Sequence, residues 1–382
     1  MMGFEWDNFP DDALLRIFHY LPRCDRVRLE LVNKRWQRLL IKSWMDVGTL
    51  MIWRDGIYEE TNMEKGMDPN LVANADIDIV QHMLKKAGGN LKSLKFCDTS
   101  NIDENIISTV IQSCRNLEEL EFHKVIFSEE AAHESAQMIE NLFTLPRLNS
   151  LAWNQNLCYD NNRQHQSKRI QAGIQLELFP SLNGADAFTA MRGLRRVHLE
   201  DTPLMWGNFI FVCVQLAPTL EEFCYKIWDN YLVPLRCTLI RGLQHLINLK
   251  QLNIGGDRNI LRPLGGLVDD EFAMFISCSM PFLERVSMKA SERLSMKGVQ
   301  ALVHNLKRLK YINFNQCDLV NNSVLEAACE LRSKNGTYLT IFAAETDVDL
   351  AKLYIKCDNI SVLSDYRFID ETVFFGEGIL AE

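Results

Sequence analysis

The chain has little of what catalysis or metal binding requires. Its eight histidines stand far apart with no HExxH pattern, and its 11 cysteines contain no CxxC pair. That removes the usual zinc frameworks. No serine sits in a GxSxG elbow, the commonest hydrolase signature. Gly255-Gly256 and Gly265-Gly266 lack both GxGxxG and P-loop spacing, which excludes a glycine-built phosphate cradle there. The reading is of a chain that is not an enzyme, with no catalytic residue, no cofactor and no metal site.

Positive charge is also short. Lys and Arg total 41 against 50 Asp and Glu, a net charge of −9, which argues against nucleic acid or an anionic membrane as a general partner. The longest aliphatic stretch, Phe209 to Val214, is far below the roughly 20 residues that cross a bilayer. Met1 to Pro10 carries Glu5 and Asp7 and no apolar run, so no signal peptide is expected there. An odd, scattered set of cysteines predicts reduced, mostly buried thiols in a cytoplasmic and/or nuclear protein.

What the chain does contain begins at its N-terminus. Pro10 suits a helix start, and Asp11 or Asp12 can cap that helix or complement its positive end. Leu14, Ile17 or Phe18, and Leu21 then recur at three- and four-residue steps, forming one apolar stripe. Pro22 ends it. Asp25 is a plausible cap for a second helix, whose Leu29, Val32, Trp36 and Leu39 keep helical spacing. Some 40 residues are too few to bury two such faces without a partner. Arg23, Arg26, Arg28, Lys34, Arg35, Arg38 and Lys42 outnumber Asp25 and Glu30 here, which reads as a solvated helix face or a surface for an acidic protein.

Phe9-Pro-Asp-Asp-x-Leu-x-x-Ile-Phe-x-x-Leu21, followed by Val32-x-x-x-Trp36-x-x-Leu39, resembles an F-box. Phe9 stands where that family usually has Leu, and Asp12 where Glu is common. The resemblance implies docking on a Skp-family adaptor, with Pro10, Leu14, Ile17, Phe18, Leu21, Val32 and Trp36 forming or supporting the binding surface.

From residue 91 the pattern apolar-x-x-apolar-x-apolar returns eight times, beginning at Leu91, Leu117, Leu148, Leu194, Leu220, Leu249, Leu283 and Leu309. Successive starts lie 26, 31, 46, 26, 29, 34 and 26 residues apart. The alternation is strand-like, and helical stretches such as Ile106 to Ile111 and Val299 to Val303 lie between. Strand plus helix at this period is the mark of leucine-rich repeats, whose single units cannot bury their own faces and therefore stack. Segments such as Ser113-Cys114-Arg115-Asn116-Leu117 resemble the cysteine-containing repeats that accompany F-boxes. Leu50 to Trp53, Leu339 to Phe342 and Ile360 to Leu363 read as irregular terminal strands. Asp269-Asp270-Glu271 reads as a helix start.

The fold expected is α/β: an N-terminal helical F-box (4–48), a linking segment with an irregular first repeat (49–90), leucine-rich repeats as a curved parallel sheet with outer helices (91–330), and irregular repeats with a tail (331–382). The 46-residue interval carries a polar surface insertion at about 154–190. Residues between the apolar anchors face the concave side as ladders, and their later rungs carry Arg285, Lys289 and Tyr311. With Asn313 and Lys226, these are the candidate contacts for an acidic or phosphorylated target. The resemblance implies a substrate receptor of an SCF-type, cullin–RING ubiquitin ligase that holds a protein target for ubiquitination. An adaptor-bound scaffold without a degradative role is the alternative.

Overall fold

The computed structural model describes residues 9–21, 23–45, 47–53, 71–73, 77–97, 99–123, 125–127, 141–142, 144–154, 157–158, 170–171, 193–200, 210, 213–214, 216–226, 236–255, 268–333, 338–349 and 360–363. The chain divides into two compact units, Met1–Gly173 with Leu178–Gly193, and Ile174–Glu177 with Leu194–Glu382.

The first unit opens with α1 (Asp11–Tyr20), α2 (Arg23–Leu29) and α3 (Lys34–Ser43). Pro10 itself occupies the N-cap, while Asp11 and Asp12 lie in the first turn, where their charge suits the helix dipole. The expected second helix is in fact two. Asn33 takes an extended conformation and its side-chain oxygen accepts the Trp36 N–H at 2.8 Å, which starts α3 afresh. Asp25 is not a cap; it lies inside the first turn of α2. Leu14, Phe18, Trp36, Leu39 and Leu40 form the core between these helices, and the Phe18 and Trp36 rings meet at 5.2 Å, tilted by 60°.

The rest of this unit is a parallel sheet built from β1 (Thr49–Trp53), β2 (Leu71–Ala73), β3 (Ser93–Cys97), β5 (Glu119–His123) and β7 (Ser150–Asn154), in the order β2-β1-β3-β5-β7. Helices α4 (Ile77–Ala87) and α5 (Glu104–Ser113) make the crossovers that parallel strands require. Short strands β4 (Ser100–Ile102), β6 (Ile126–Phe127), β8 (Leu157–Cys158) and β9 (Ile170–Gln171) form a second small sheet. Apart from Asn154, β8 and β9, the polar run at 154–190 lies outside the described residues, as does the glycine-rich loop after Gly255.

The second unit continues the same design with β10 (Arg196–Glu200), β11 (Glu222–Lys226), β12 (Gln251–Gly255), β13 (Arg285–Ser287), β14 (Tyr311–Asn313), β15 (Leu339–Phe342) and β16 (Ile360–Leu363), all parallel and paired in sequence order. Its crossover helices are α6 (Arg236–Leu243), α7 (Asp270–Ser279), α8 (Met296–Asn305) and α9 (Asn322–Ser333). The anchors Leu252, Val286, Ile312 and Ile341 stand in register and are buried. In the first unit Phe96 and Phe122, one rung apart, stack at 5.3 Å.

Neighbouring repeats are tied by main chain before each strand begins. The Glu221 carbonyl accepts the N–H groups of Lys250 and Gln251 at 2.7 and 3.0 Å, and the Lys250 carbonyl accepts those of Glu284 and Arg285 at 2.7 and 3.0 Å. Buried Arg332 donates to the carbonyls of Leu306 and Leu309, closing the C-terminal end of α8.

Candidate functional site

Two surfaces emerge from this scaffold. On the N-terminal helices, apolar side chains remain in solvent although a core has formed beneath them. Ile17 is 36% exposed, Val32 56%, Leu31 86% and Tyr20 88%. Ile17 and Tyr20 share one face of α1 at an i, i+3 spacing, while Leu31 and Val32 occupy the α2–α3 turn. Pro10 is exposed and Leu21 half-buried. Leu14, Phe18 and Trp36 are interior, so they support a surface rather than form it. Tyr20, Leu31 and Met45 (63% exposed) belong to the apolar surface and were absent from the sequence set. Tyr20 stands three residues after Ile17 and Leu31 directly beside Val32, which was the available signal for those two.

Beneath that surface, charge is wired inward. Arg26, grouped by the sequence with surface cations, is buried; it donates to the carbonyls of Leu21, Ser43 and His19 at 3.2, 3.1 and 2.7 Å. Burial, with help from neighbouring Arg23, lowers its pKa to about 10. Arg35 binds Asp11 at 2.6 Å and also reaches the Phe9 carbonyl, joining α3 to the start of α1.

The second surface is the polar side of the strands. Register places Arg196, Glu222, Gln251, Arg285, Tyr311, Thr340 and Ser361 on one ladder. The Arg285 guanidinium lies over the Tyr311 ring at 5.0 Å. Asn313 differs from the sequence expectation: it is buried, and its side-chain oxygen accepts the Asn315 N–H at 2.9 Å, so it shapes the strand exit. Lys289 lies beyond β13, its main chain close against Gly255, where a Cβ would meet the Lys289 carbonyl oxygen at 2.9 Å. Lys226 ends β11 in register with Gly255, and its side chain lies outside the described residues.

The Lys95 ammonium on the first unit's ladder is pulled down by burial but raised overall by Glu121, 2.9 Å away. Cys114 is buried, and that burial pushes its thiol up to about 12, the behaviour of a packing residue rather than a nucleophile. Among the described cysteines only Cys278 is exposed. No group of three or more His, Cys, Asp or Glu side chains gathers as a metal site among the described residues, and none of their helices is long and apolar enough to cross a membrane.

Residues 6–45 match the F-box domain, so the three N-terminal helices are an F-box. Over 369 aligned residues the chain is 25% identical to a Caenorhabditis elegans protein described as putative RNA-binding protein EEED8.10. That alignment takes in 88% of this chain and 47% of the relative, so the chain spans about half the relative's length. Among solved structures, the crystal structure of the Rad7 and Elc1 complex in yeast aligns over 95% of both chains, with a TM-score of 0.45 and 11% identity.

Proposed function

We propose that this chain is a substrate-recognition subunit of an SCF-type ubiquitin ligase. The F-box docks on a Skp-family adaptor, and through it a cullin–RING scaffold, while the strand ladders, read as leucine-rich repeats, hold a protein target. The observation that carries this reading is the apolar surface left in solvent on a matched F-box: Ile17, Tyr20, Leu31 and Val32 stay exposed over a completed core. Pro10 and Leu21 flank that surface, with Leu14, Phe18 and Trp36 supporting it from within.

The mechanism is proximity. The receptor supplies no nucleophile; it raises the effective concentration of a target lysine near a charged conjugating enzyme and orients it. Arg285, stacked on Tyr311, with Lys289 and Lys226 nearby in the repeats, is the candidate contact for an acidic target segment. The site of action is cytoplasmic and/or nuclear. RNA binding is in the name of a relative of which the match covers 47%, and a net charge of −9 disfavours a general phosphate-backbone ligand here.

The test is a double substitution, Ile17→Asp with Val32→Asp. Both side chains are solvent-facing, so the helical content stays that of the wild type while the Skp-family adaptor and cullin no longer co-purify. Retention of the adaptor at wild-type levels overturns the docking assignment. An adaptor-bound scaffold is distinguished by depletion: cullin co-purifies, yet no bound protein accumulates.

A further inference from the structure

We infer that the rim of the second unit, where chain enters strands β10 to β14, is a binding groove for a phosphate group carried on a peptide segment. The groove encloses about 430 Å³ and is lined by Arg195, Lys250, Arg308, Glu221, Asn248 and Phe282 among others. None of these belongs to the concave ladder considered above.

Arg195, Glu221 and Lys250 each immediately precede their strands, whereas Phe282 and Arg308 each stand three residues before theirs. The main chain beneath them is fixed: the Arg195 carbonyl accepts from Glu221 and Glu222 at 2.8 and 2.9 Å, and the Glu221 carbonyl accepts from Lys250 at 2.7 Å. Glu221 draws two cations together, with Lys250 Nζ at 2.8 Å and Arg195 Nη1 at 3.7 Å. Those side chains remain 50% and 66% exposed, so most of their donors still face open space. The Arg308 guanidinium, also in the lining, lies over the Phe282 ring at 4.7 Å.

Charge selects the occupant. Three cations against one carboxylate leave the lining at +2 in a chain whose total is −9. A phosphate monoester carries about −1.5 to −2 at neutral pH, and guanidinium with ammonium suits its three oxygens. A lone carboxylate would leave one positive charge unmatched. Phe282, exposed in part and in the lining, supplies an apolar contact for the residue beside the phosphate. That the peptide belongs to a ubiquitination target rests on the receptor reading above; the groove itself does not.

The experiment uses the full chain co-purified with its adaptor, and phenyl phosphate as the probe, followed by calorimetry. Saturable binding to one site is expected. It weakens about tenfold in Arg308→Gln and in Lys250→Gln, each the loss of one charge-assisted contact, and is unchanged in Lys307→Gln, a neighbouring surface charge outside the lining. Absence of saturable binding overturns the proposal, as do equal affinities in the groove variants or benzoate binding as tightly as phenyl phosphate. Tighter binding of a single-stranded oligouridylate that Arg308→Gln abolishes overturns it in favour of a nucleic-acid site. Adaptor retention is read in the same preparations: a lost adaptor with phenyl phosphate still bound contradicts the receptor reading and supports the groove.

Discussion

The Glu30 carboxylate, in the turn that ends α2, accepts the indole N–H of Trp44 at 2.8 Å through one oxygen. Its other oxygen faces His82 Nε2 at 3.0 Å and Lys86 Nζ at 3.7 Å, both on α4. One buried acid thus joins the F-box helices to the first strand–helix repeat within a single compact unit. Glu30→Ala strands the Trp44 donor and removes the acceptor facing His82 and Lys86 of α4, at a cost of about 1–3 kcal/mol. Glu30→Gln keeps an acceptor for Trp44 and costs roughly half as much. Hydrogen exchange checks this: amides of α1–α3 and α4 lose protection together in Glu30→Ala, while those of α8 do not change.

A second linkage joins two later repeats. Asp270, in the first turn of α7, accepts the N–H groups of Ser295 and Gly298 at 2.8 and 3.0 Å and the Ser295 hydroxyl at 2.6 Å. It therefore caps the next repeat's helix from outside that helix. Gly298 is required by this approach, because a Cβ there would meet Asp270 Oδ1 and Leu294 Cδ1, each at 2.6 Å. Gly298→Ala displaces the carboxylate and Asp270→Ala removes it, each costing about 1–3 kcal/mol. Both changes break one cap, so the double variant falls well short of the sum, a non-additivity that urea midpoints measure directly.

Much of this architecture was legible in the sequence. The apolar-x-x-apolar-x-apolar motif carried the strands β3, β5, β7 and β10 to β14, because both its anchors and its spacing are dictated by the buried face of a parallel strand, while β15 and β16 were read as irregular terminal strands without it. What escaped was set by tertiary partners. Helical spacing runs unbroken from Leu29 through Leu39, yet the Asn33 side chain divides the segment, since an i to i+3 cap competes locally with helix continuation. Arg26 read as a surface charge because nothing in its neighbours reveals that three carbonyls converge on it. The rim groove is not legible in the motif for a different reason. Three of its charges, Arg195, Glu221 and Lys250, lie at the edges of the motif, in a series with Glu284 and Lys310 that alternates in sign directly after each leading leucine. That alternation is written in the sequence, but it carries no spacing that distinguishes a groove from paired surface charges.

The last expectation concerns Glu222, between Arg196 and Gln251 on the polar ladder. One carboxylate oxygen accepts the Gln251 side-chain N–H at 3.0 Å; the other is buried without a hydrogen-bond donor. Burial raises the carboxyl above its ordinary value of 4.5, and attraction to Arg196 and Arg285 only partly offsets it. A carboxyl whose pKa is higher folded than unfolded disfavours the folded state while it is ionised in both. The penalty is full at neutral pH and fades as pH falls through the folded value towards 4.5. Glu222→Gln removes the charge and keeps an acceptor for Gln251, so it should raise Tm by about 1–2 °C at pH 7. The advantage should shrink steadily as melting is repeated down to pH 4.5. A variant less stable than wild type at pH 7 would mean that the two arginines outweigh desolvation, and the ladder would then be held together by charge rather than strained by it.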